Sequence, residues 1–357
     1  MGERQEKFSG TKDVADRLRF DVRTLERYLR EHVEGFSGSL EVQQFKGGQS
    51  NPTYLLEAGD RRYVLRRKPP GKLLPSAHAV DREYRVITAL GQTDVPVPKT
   101  YCLCTDASVI GTWFYVMEFV EGRVLWEYTL PESDRAERAA IYDSLNATLA
   151  KLHRVDYRAL GLEDYGKPGN YFARQIHRWT QQYRASETVR IDAMDRLIAW
   201  LPEHIPDGDE TTIVHGDYRL DNTILHPTEP RVIAILDWEL GTLGHPLGDF
   251  SYHCMQWELD KDTLNGLDGY DLPALGIPTL AEYKAAYCAR TGRRRIERWN
   301  FYMAYNLFRI AAILQGIMKR VVDGTAASLH ARDAGMRARP MAELGWQQAE
   351  RILRRAA

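Results

Sequence analysis

Apolar residues recur first at helical and then at strand spacing near the start of the chain. Leu18, Val22, Leu25 and Leu29 share one helical face, which predicts an amphipathic helix over residues 13–33 that ends at Gly35. Short β-type runs then cover residues 40–45, 53–57 and 62–67, and turn dipeptides separate them. These runs predict three antiparallel strands.

The next segments add one helix and more strand. Residues 81–90 carry apolar positions at helical spacing, so they predict a helix. Residues 108–120 are aromatic and β-branched, and Gly111 interrupts them, which predicts two strands joined by a turn. The first 120 residues therefore predict about five strands with one inserted helix.

From residue 125 onward the pattern is mainly helical. Helices are expected around residues 141–152, 171–186 and 191–201, and the last part of the chain returns to helical spacing. Two short apolar runs, 212–214 and 232–236, interrupt this pattern. The change of period predicts two units, residues 1–120 and residues 121–357, that meet at a hinge near residues 118–122.

Composition narrows the class of protein without adding a function. The chain has 357 residues, 44% hydrophobic and 27% charged, which is typical of globular domains. Its 48 basic and 49 acidic residues leave a net charge of −1 and no broad basic face, so nucleic acid is not expected as a partner.

Targeting signals and disulfides are not expected either. The charged N-terminal residues lack the apolar core of a secretory signal, and the apolar stretch 301–318 contains Asn306, Arg309 and Gln315. The four cysteines fit neither a disulfide framework nor paired zinc-binding motifs. The expected compartment is the cytoplasm, with no membrane partner.

The densest polar cluster lies between the two short apolar runs. It reads His-Gly-Asp-Tyr-Arg-Leu-Asp-Asn over residues 215–222, and Asp237 follows the second run. Magnesium prefers oxygen ligands, which Asn222 and Asp237 would supply together with phosphate oxygens. Asp217, five residues before Asn222, is the expected base that accepts a proton from an alcohol during phosphoryl transfer.

This pattern, H-G-D-x-x-x-x-N followed by I-L-D-W, resembles the aminoglycoside phosphotransferase and choline kinase superfamily. The segments GGQSNPTYLL, YVMEFVEGR and LDWELGTLGHPLGDF resemble more narrowly the kinase-like module that accompanies acyl-CoA dehydrogenases. The resemblance covers almost the whole chain. It implies an α+β, bilobal protein-kinase-like fold, with a small antiparallel sheet in the N-lobe, a larger helical C-lobe and the active site between them.

The resemblance also implies a nucleotide site in the first unit, with ATP and Mg²⁺ as cofactors. A hairpin loop would cover the phosphates, and Arg66 would stand where kinases usually have a phosphate-binding Lys, with Glu83 as its ion-pair partner. The backbone of Glu118 and Val120, after Met117, would meet the adenine edge. The loop consists of Gly47, Gly48, Gln49, Ser50 and Asn51.

Other residues of the catalytic segment receive mostly structural roles. His215 is expected to brace the loop, and Asp249 to hold the loop backbone rather than a ligand. For Arg219 two roles stay open, namely neutralising the transferred phosphate and forming a salt bridge within the loop. Asp221 is expected to be structural.

The acceptor is the least defined element. An aromatic and basic group lies where the family places its substrate cleft, although helix packing is the favoured explanation of its aromatic residues. Its basic character and the resemblance favour a hydroxy acid or hydroxyacyl-CoA over a polycationic aminoglycoside, with a functional link to an acyl-CoA dehydrogenase. The group consists of Asn170, Tyr171, Arg174, Arg178 and Trp179.

The sequence therefore predicts a small-molecule kinase that phosphorylates a hydroxyl group. Two alternatives remain open. The first is a catalytically weak nucleotide-binding protein, because Arg66 replaces the usual Lys. The second is an aminoglycoside-type phosphotransferase.

Overall fold

A computed structural model describes residues 10–46, 51–71, 78–262, 264, 266–326 and 330–356. Within it the chain forms two compact units. The first contains Met1–Tyr165, Arg219–Gly241 and Ala274–Ile277, and the second contains Gly166–Tyr218, Thr242–Pro273 and Pro278–Ala357. The predicted boundary at Val120 does not coincide with this division.

The first unit is built on a six-stranded antiparallel sheet of order β1-β2-β3-β4-β6-β5. The three predicted strands correspond to β2, β3 and β4, and each neighbouring pair is joined by a short connection. The strands are β1 (Thr11–Lys12), β2 (Leu40–Phe45), β3 (Thr53–Ala58), β4 (Arg61–Arg67), β5 (Thr100–Cys104) and β6 (Phe114–Glu118).

Alternation along the strands gives the sheet two different faces, because successive side chains of a strand point to opposite sides. Tyr63 and Leu65 of β4 belong to a hydrophobic core that includes Leu25 and Leu29 of helix α1 (Val22–His32). Val64 lines a cavity on the opposite side. The period of two therefore separates the packing face of the sheet from its cavity face.

Arg67 extends the packing face of β4 with a charged side chain. It is 2% exposed, and it donates hydrogen bonds to the hydroxyl of Tyr54 and to the carbonyls of Leu18 and Ile110. Its guanidinium also lies 4.9 Å from the ring centre of Phe20. Arg67 thus ties the segment before α1 to the sheet.

Helix α1 is shorter than the predicted helix over residues 13–33. A 3-10 turn covers Asp16–Leu18, and α1 begins at Val22 because the Asp21 carboxylate accepts bonds from the backbone N–H groups of Arg23 and Thr24. Helix α2 (Val80–Leu90) lies within one residue of its prediction.

The prediction of two strands over residues 108–120 is wrong in its first half. Helix α3 (Ala107–Ile110) stands there, because Asp106 caps its first turn and Gly111 ends it with φ of +85°. Strand β6 follows, and β5 pairs with it from the preceding segment.

The first unit extends past Val120 because later elements pack with it. Helix α4 (Arg135–Arg154) follows the hinge segment, and the Ser144 hydroxyl accepts from the backbone N–H of Val232. That residue opens β9 (Val232–Ile235), which pairs with β8 (Thr223–Leu225). Arg123 exchanges two backbone hydrogen bonds with Leu225, each of 2.8 Å.

The second unit is mainly helical, with one short strand pair, β7 (Thr212–Val214) and β10 (Thr242–Gly244). Helix α10 (Trp299–Val322) is central and packs against α5, α6, α7, α11 and α12. The other helices after α4 are α5 (Tyr171–Ser186), α6 (Asp192–Glu203), α7 (Pro246–His253), α8 (Leu272–Leu275), α9 (Leu280–Thr291), α11 (Ala331–Met336) and α12 (Ala338–Ala356).

Candidate functional site

A cavity of about 730 Å³ lies within the first unit, on the face of the sheet opposite α1. This volume is within the usual range for small-molecule and cofactor sites. Strand side chains such as Leu55 and Val64 line it, together with Ile224 of β8 and Ile235 of β9. Its wall therefore combines an apolar surface with the polar groups described next.

The hinge segment runs along this cavity. Met117, Glu118 and Val120 line it. The contact of their backbone with adenine stays a prediction. The backbone N–H of Glu118 donates to the carbonyl of Lys99 at 2.8 Å, and the Glu118 carboxylate accepts from the N–H of Lys99. Pairing with the segment before β5 thus fixes the path of the backbone past the cavity.

Arg66, at the end of β4, brings positive charge to the cavity. Its side chain is 8% exposed and forms ion pairs with Glu83 at 2.9 Å and with Asp237 at 2.5 Å, and Glu239 lies 3.6 Å away. The predicted partner Glu83 is therefore present. The contact with Asp237 additionally joins the predicted phosphate-binding residue to a predicted metal ligand.

The surroundings of Glu83 explain how a carboxylate is tolerated inside the unit. Burial raises the pKa of Glu83, and the positive charge of Arg66 opposes that shift. Tyr115, which stands opposite Arg66 on β6, donates to one carboxylate oxygen at 3.2 Å. Asn51 donates to the other oxygen at 2.8 Å.

Of the predicted phosphate-covering loop, the structure describes only Asn51. Gly47, Gly48, Gln49 and Ser50 lie outside the described residues, so their role stays a prediction. The Asn51 side chain is fully buried and contacts Glu83, as above, and the Nδ1 atom of His78 at 2.8 Å. Asn51 is thus linked to the Arg66 and Glu83 pair.

Asn222 and Asp237 line the same cavity at its polar end. Asn222 is the last residue of a 3-10 turn. Its backbone carbonyl accepts a hydrogen bond from the backbone N–H of Leu236, which precedes Asp237. Asp237 has φ of +64°, a left-handed backbone conformation that is uncommon for residues other than glycine. The oxygen atoms expected to bind magnesium thus belong to adjoining turns.

The boundary between the two units falls after Tyr218. Residues 215–218 therefore belong to the second unit, and residues 219–222 belong to the first. His215 is fully buried. Asp249 of α7 accepts from the backbone N–H groups of His215 and Gly216 at 2.7 and 2.9 Å. The contact expected of Asp249 is present, and the hydroxyl of Tyr252 donates to Asp217.

Arg219 and Asp221 form an ion pair of 3.0 Å within the first unit. This geometry corresponds to the salt-bridge alternative for Arg219. Asp221, like Asn222, lines the cavity. A role for Arg219 toward the transferred phosphate stays a prediction.

The predicted acceptor group lies on and before α5. Asn170 and Gly169 precede the helix, and Arg174 donates to the backbone carbonyls of Gly169 and Lys167, so its charge serves to hold this turn. Tyr171 and Trp179 are buried, which agrees with the packing alternative. Arg178 is exposed, 5.5 Å from the Trp179 ring centre.

Sequence reasoning missed the side chains that support the site from other elements. Tyr115 holds Glu83, Tyr252 contacts Asp217, and Arg309 of α10 donates to the carbonyl of Gly216 at 2.7 Å. One signal was available, since Tyr252 follows Asp249 by three residues and therefore shares its helical face. For Arg309 the sequence offers only a charged residue in an apolar helix.

Two absences concern the described part of the chain only. No group of three or more His, Cys, Asp or Glu side chains there could hold a metal ion. A magnesium ion bound with a nucleotide usually needs only one or two protein carboxylates. Among the same residues, no helix is long and apolar enough to cross a membrane.

The antiparallel sheet and the largely helical second unit match the protein-kinase-like fold of the aminoglycoside phosphotransferases and choline kinase. Residues 41–299 match the model of the phosphotransferase enzyme family that includes the aminoglycoside phosphotransferases. Since this match covers more than half of the sequence, the chain belongs to that family.

Curated relatives are longer than this chain. Acyl-CoA dehydrogenase family member 10 of Mus musculus is 47% identical over 94% of the chain, which spans 32% of that protein. Acyl-CoA dehydrogenase family member 11 of the same species is 45% identical over 97% of the chain, which spans 45% of that protein. The chain thus corresponds to less than half the length of either relative.

Solved structures include a protein that is similar over nearly the whole of both chains. A putative aminoglycoside phosphotransferase from Ralstonia eutropha is 60% identical, with a TM-score of 0.87 over 93% of this chain and 99% of that one. Choline kinase from Cryptosporidium parvum has a TM-score of 0.62 at 12% identity, over 94% and 97% of the two chains. The latter likeness shows the fold alone.

Proposed function

We propose that this protein is an ATP- and magnesium-dependent kinase that transfers the γ-phosphoryl group to a hydroxyl group of a small molecule. One observation carries the proposal. A single cavity combines an apolar part beside the hinge segment with Arg66, Asn222 and Asp237 at its polar end. This is the combination that a purine base with a magnesium-bound triphosphate requires.

The hinge segment supports a nucleotide as the cavity's ligand. In this proposal the backbone of Glu118 and Val120 binds the adenine edge, while Leu55, Val64 and Ile224 contact the faces of the base. A crystallised aminoglycoside phosphotransferase of the same fold forms a ternary complex with AMP-PNP and hygromycin B, at 17% identity and a TM-score of 0.58 over 91% of this chain and 98% of that one. This ternary complex supports the proposal that ATP is the phosphate donor.

The donor set fits magnesium. Asn222 and Asp237 offer one amide carbonyl and one carboxylate, both hard oxygen ligands, and phosphate oxygens and water would complete the shell. When bound, the ion would neutralise charge on the phosphates. Arg66 would bind the phosphates with its planar guanidinium, which can form two parallel hydrogen bonds to a phosphate group.

Asp217 is the proposed base. The proton of the acceptor hydroxyl passes to its carboxylate as the acceptor oxygen bonds to the γ-phosphorus and ADP departs. His215 and Asp249 would act through the loop backbone, since Asp249 accepts from two consecutive N–H groups. Such backbone bonds limit the movement of Asp217, and accurate positioning is a large part of catalysis in this reaction class.

For the acceptor we propose a hydroxy acid or its hydroxyacyl-CoA ester. The support is the similarity to two acyl-CoA dehydrogenase family members along nearly the whole chain. A functional link to an acyl-CoA dehydrogenase is part of this proposal. Of the two proposed basic contacts we favour Arg178, because it is exposed, whereas Arg174 is bound to backbone carbonyls.

A second candidate function is nucleotide binding without efficient turnover. It is favoured by the ion pair between Arg66 and Asp237, which engages a proposed metal ligand with a protein cation. Magnesium and phosphate would have to replace that contact. Calorimetry with Mg·ATP, beside an assay of slow ATP hydrolysis and of transfer across the acceptor panel, separates the candidates, since a sensor binds the nucleotide and transfers no phosphate to any acceptor.

The acceptor is identified by a direct screen. The protein is incubated with Mg·ATP and, separately, a hydroxyacyl-CoA, the free hydroxy acid, an amino sugar and choline, and products are read by mass spectrometry. We expect a phosphorylated hydroxy acid or hydroxyacyl-CoA, and no product with Asp217→Ala. Transfer to the amino sugar alone would instead establish an aminoglycoside-type phosphotransferase.

A further inference from the structure

Side chains from two helices hold the loop 215–218 at every residue. All of these contacts lie within the second unit, and three of the four side chains belong to α7. Asp249 accepts from the N–H groups of His215 and Gly216, Arg309 donates to the Gly216 carbonyl, Tyr252 donates to Asp217, and His253 contacts the Tyr218 carbonyl.

The spacing within α7 explains how one helix reaches the whole loop. Tyr252 and His253 follow Asp249 by three and four residues, so the three side chains lie on neighbouring positions of one helical face. Asp249 and His253 contact only backbone atoms of the loop in these bonds. Tyr252 differs, because its hydroxyl contacts a side chain that the proposed reaction uses.

The Tyr252 hydroxyl donates to the Oδ1 atom of Asp217 at 2.5 Å. Hydrogen bonds from a hydroxyl to an ionised carboxylate are short and stronger than neutral ones. This bond restricts rotation of the carboxylate about its Cβ–Cγ bond. Tyr252 is itself buried, so its ring is held in place by packing.

Arg309 contacts both the loop backbone beside Asp217 and the ring of Tyr252. Its buried guanidinium donates to the Gly216 carbonyl at 2.7 Å, one residue before Asp217. It also lies 5.1 Å from the ring centre of Tyr252 and 5.7 Å from that of Trp179. One cation therefore fixes the backbone beside Asp217 and supports the ring that orients its carboxylate.

We propose that Tyr252 is a positioning residue for Asp217, and that Arg309 holds Tyr252 in place. This inference rests on the proposed function, in which Asp217 is the base. During transfer the acceptor O–H proton moves to Asp217, the oxygen–phosphorus bond forms, and the bond from the γ-phosphorus to the bridging oxygen of ADP breaks. Tyr252 keeps its own proton throughout, so it acts on geometry alone.

The test compares Tyr252→Phe with a matched control. The probe is Mg·ATP with water as the acceptor, followed by phosphate release. We expect kcat to fall by about 10- to 100-fold in Tyr252→Phe, with the KM for ATP within about two-fold of wild type, because misplacement of a reacting group costs rate rather than nucleotide binding. Thermal unfolding of each variant monitors the fold.

The control is Tyr183→Phe, which also removes a buried hydroxyl from the second unit. Tyr183 is a buried residue of α5. The guanidinium carbon of Arg184 lies 5.8 Å from the centre of its ring. We expect this variant to keep the kcat and KM of the wild type. The pair thus separates loss of a buried hydroxyl in general from loss of the contact with Asp217.

The outcomes distinguish this inference from the function it rests on. Wild-type kcat in Tyr252→Phe, together with an inactive Asp217→Ala, overturns the role of Tyr252 alone. A loss of kcat that merely follows the unfolded fraction overturns it as well. An Asp217→Ala variant that turns over like the wild type overturns the proposed base and this inference together. If water is not accepted, the comparison uses the acceptor found in the screen. A wild type that transfers phosphate neither to water nor to any compound of the screen refutes the proposed function.

Discussion

Arg66 carries a positive charge into a region that holds more carboxylates than cations. Burial alone would lower the pKa of Arg66, but the carboxylates of Glu83 and Asp237 raise it, so the guanidinium stays charged. Glu83 is 1% exposed and depends on this charge more than Asp237, whose side chain is 30% exposed. The pair with Glu83 is therefore the contact whose loss costs most stability.

Removing the cation should be more harmful than removing the pair. Arg66→Met leaves Glu83 buried without its counter-charge, and we expect the free energy of unfolding to fall by about 3–5 kcal/mol. The double variant Arg66→Met with Glu83→Gln should lose clearly less, because no buried charge is left unpaired. Urea unfolding measures both. Equal losses of unfolding free energy in the two variants would contradict the claim that Arg66 compensates the buried charge of Glu83.

His253 provides a prediction about pH. It is fully enclosed, and its Nε2 atom lies 2.8 Å from the Tyr283 hydroxyl, while Nδ1 faces the Tyr218 carbonyl at 3.3 Å. Both contacts are satisfied by the neutral ring, with Nδ1 as donor and Nε2 as acceptor. Burial lowers the pKa of His253 from its ordinary 6.5 to about 4.

Because the folded pKa lies below the unfolded value, the unfolded state binds more protons between these limits. The contribution of His253 to stability is complete above pH about 6.5 and is lost as pH falls toward 4, by about 3 kcal/mol in total. Thermal unfolding from pH 7.5 to pH about 4.5 should show a smaller decline in His253→Gln than in the wild type. Parallel declines would contradict this prediction.

At the scale of elements, the sequence predicted those whose boundaries depend on local signals. Helix α5 was predicted over residues 171–186 and is observed as Tyr171–Ser186, and β2 was likewise predicted at its observed bounds. The periodic patterns were therefore sufficient for these elements.

The misplaced elements were decided by single polar residues or by tertiary contacts. Asp21 makes α1 begin later than hydrophobic spacing implied, and Asp106 caps a helix where β-type residues implied a strand. Within the candidate site, Asp217, Asn222 and Asp237 could be found from their spacing. Tyr115 and Arg309 could not, because their contacts join residues far apart in sequence and a hydrophobic pattern carries no information about them.

A close backbone approach beside the hinge gives a test at this scale. A Cβ atom on Gly122 would lie 2.3 Å from the Leu225 carbonyl oxygen and 2.4 Å from the Ile224 side chain. We expect Gly122→Ala to destabilise the first unit by about 1–3 kcal/mol, because β8 must shift. Thermal unfolding measures the loss.

Gly316 is the control for this substitution. It lies within helix α10, and an added Cβ would be 3.9 Å from the nearest atom, the Ser186 hydroxyl oxygen. Gly316→Ala should be neutral or stabilising by up to about 1 kcal/mol through helix propensity. A loss at Gly316 as large as that at Gly122 would show that steric approach is not the cause.

At the scale of the whole molecule, a ligand that binds only the folded state must stabilise it. Mg·ATP at about 100 times its dissociation constant should raise the free energy of unfolding by about 2.7 kcal/mol. Asp237→Ala should lose the magnesium-dependent part of that gain, because it removes the proposed carboxylate ligand. Thermal shift with ATP, in the presence of magnesium or of EDTA, measures this. A gain that magnesium does not influence would contradict the metal assignment.

The measurement that tests the central claim most directly is the rate of γ-phosphoryl transfer by the wild type, Asp217→Ala and Asp237→Ala under saturating Mg·ATP. We expect both variants to lose activity by at least about 100-fold while their thermal unfolding remains cooperative, because one loses the base and the other a magnesium ligand. A variant that transfers phosphate at the wild-type rate would contradict the role assigned to the residue it lacks.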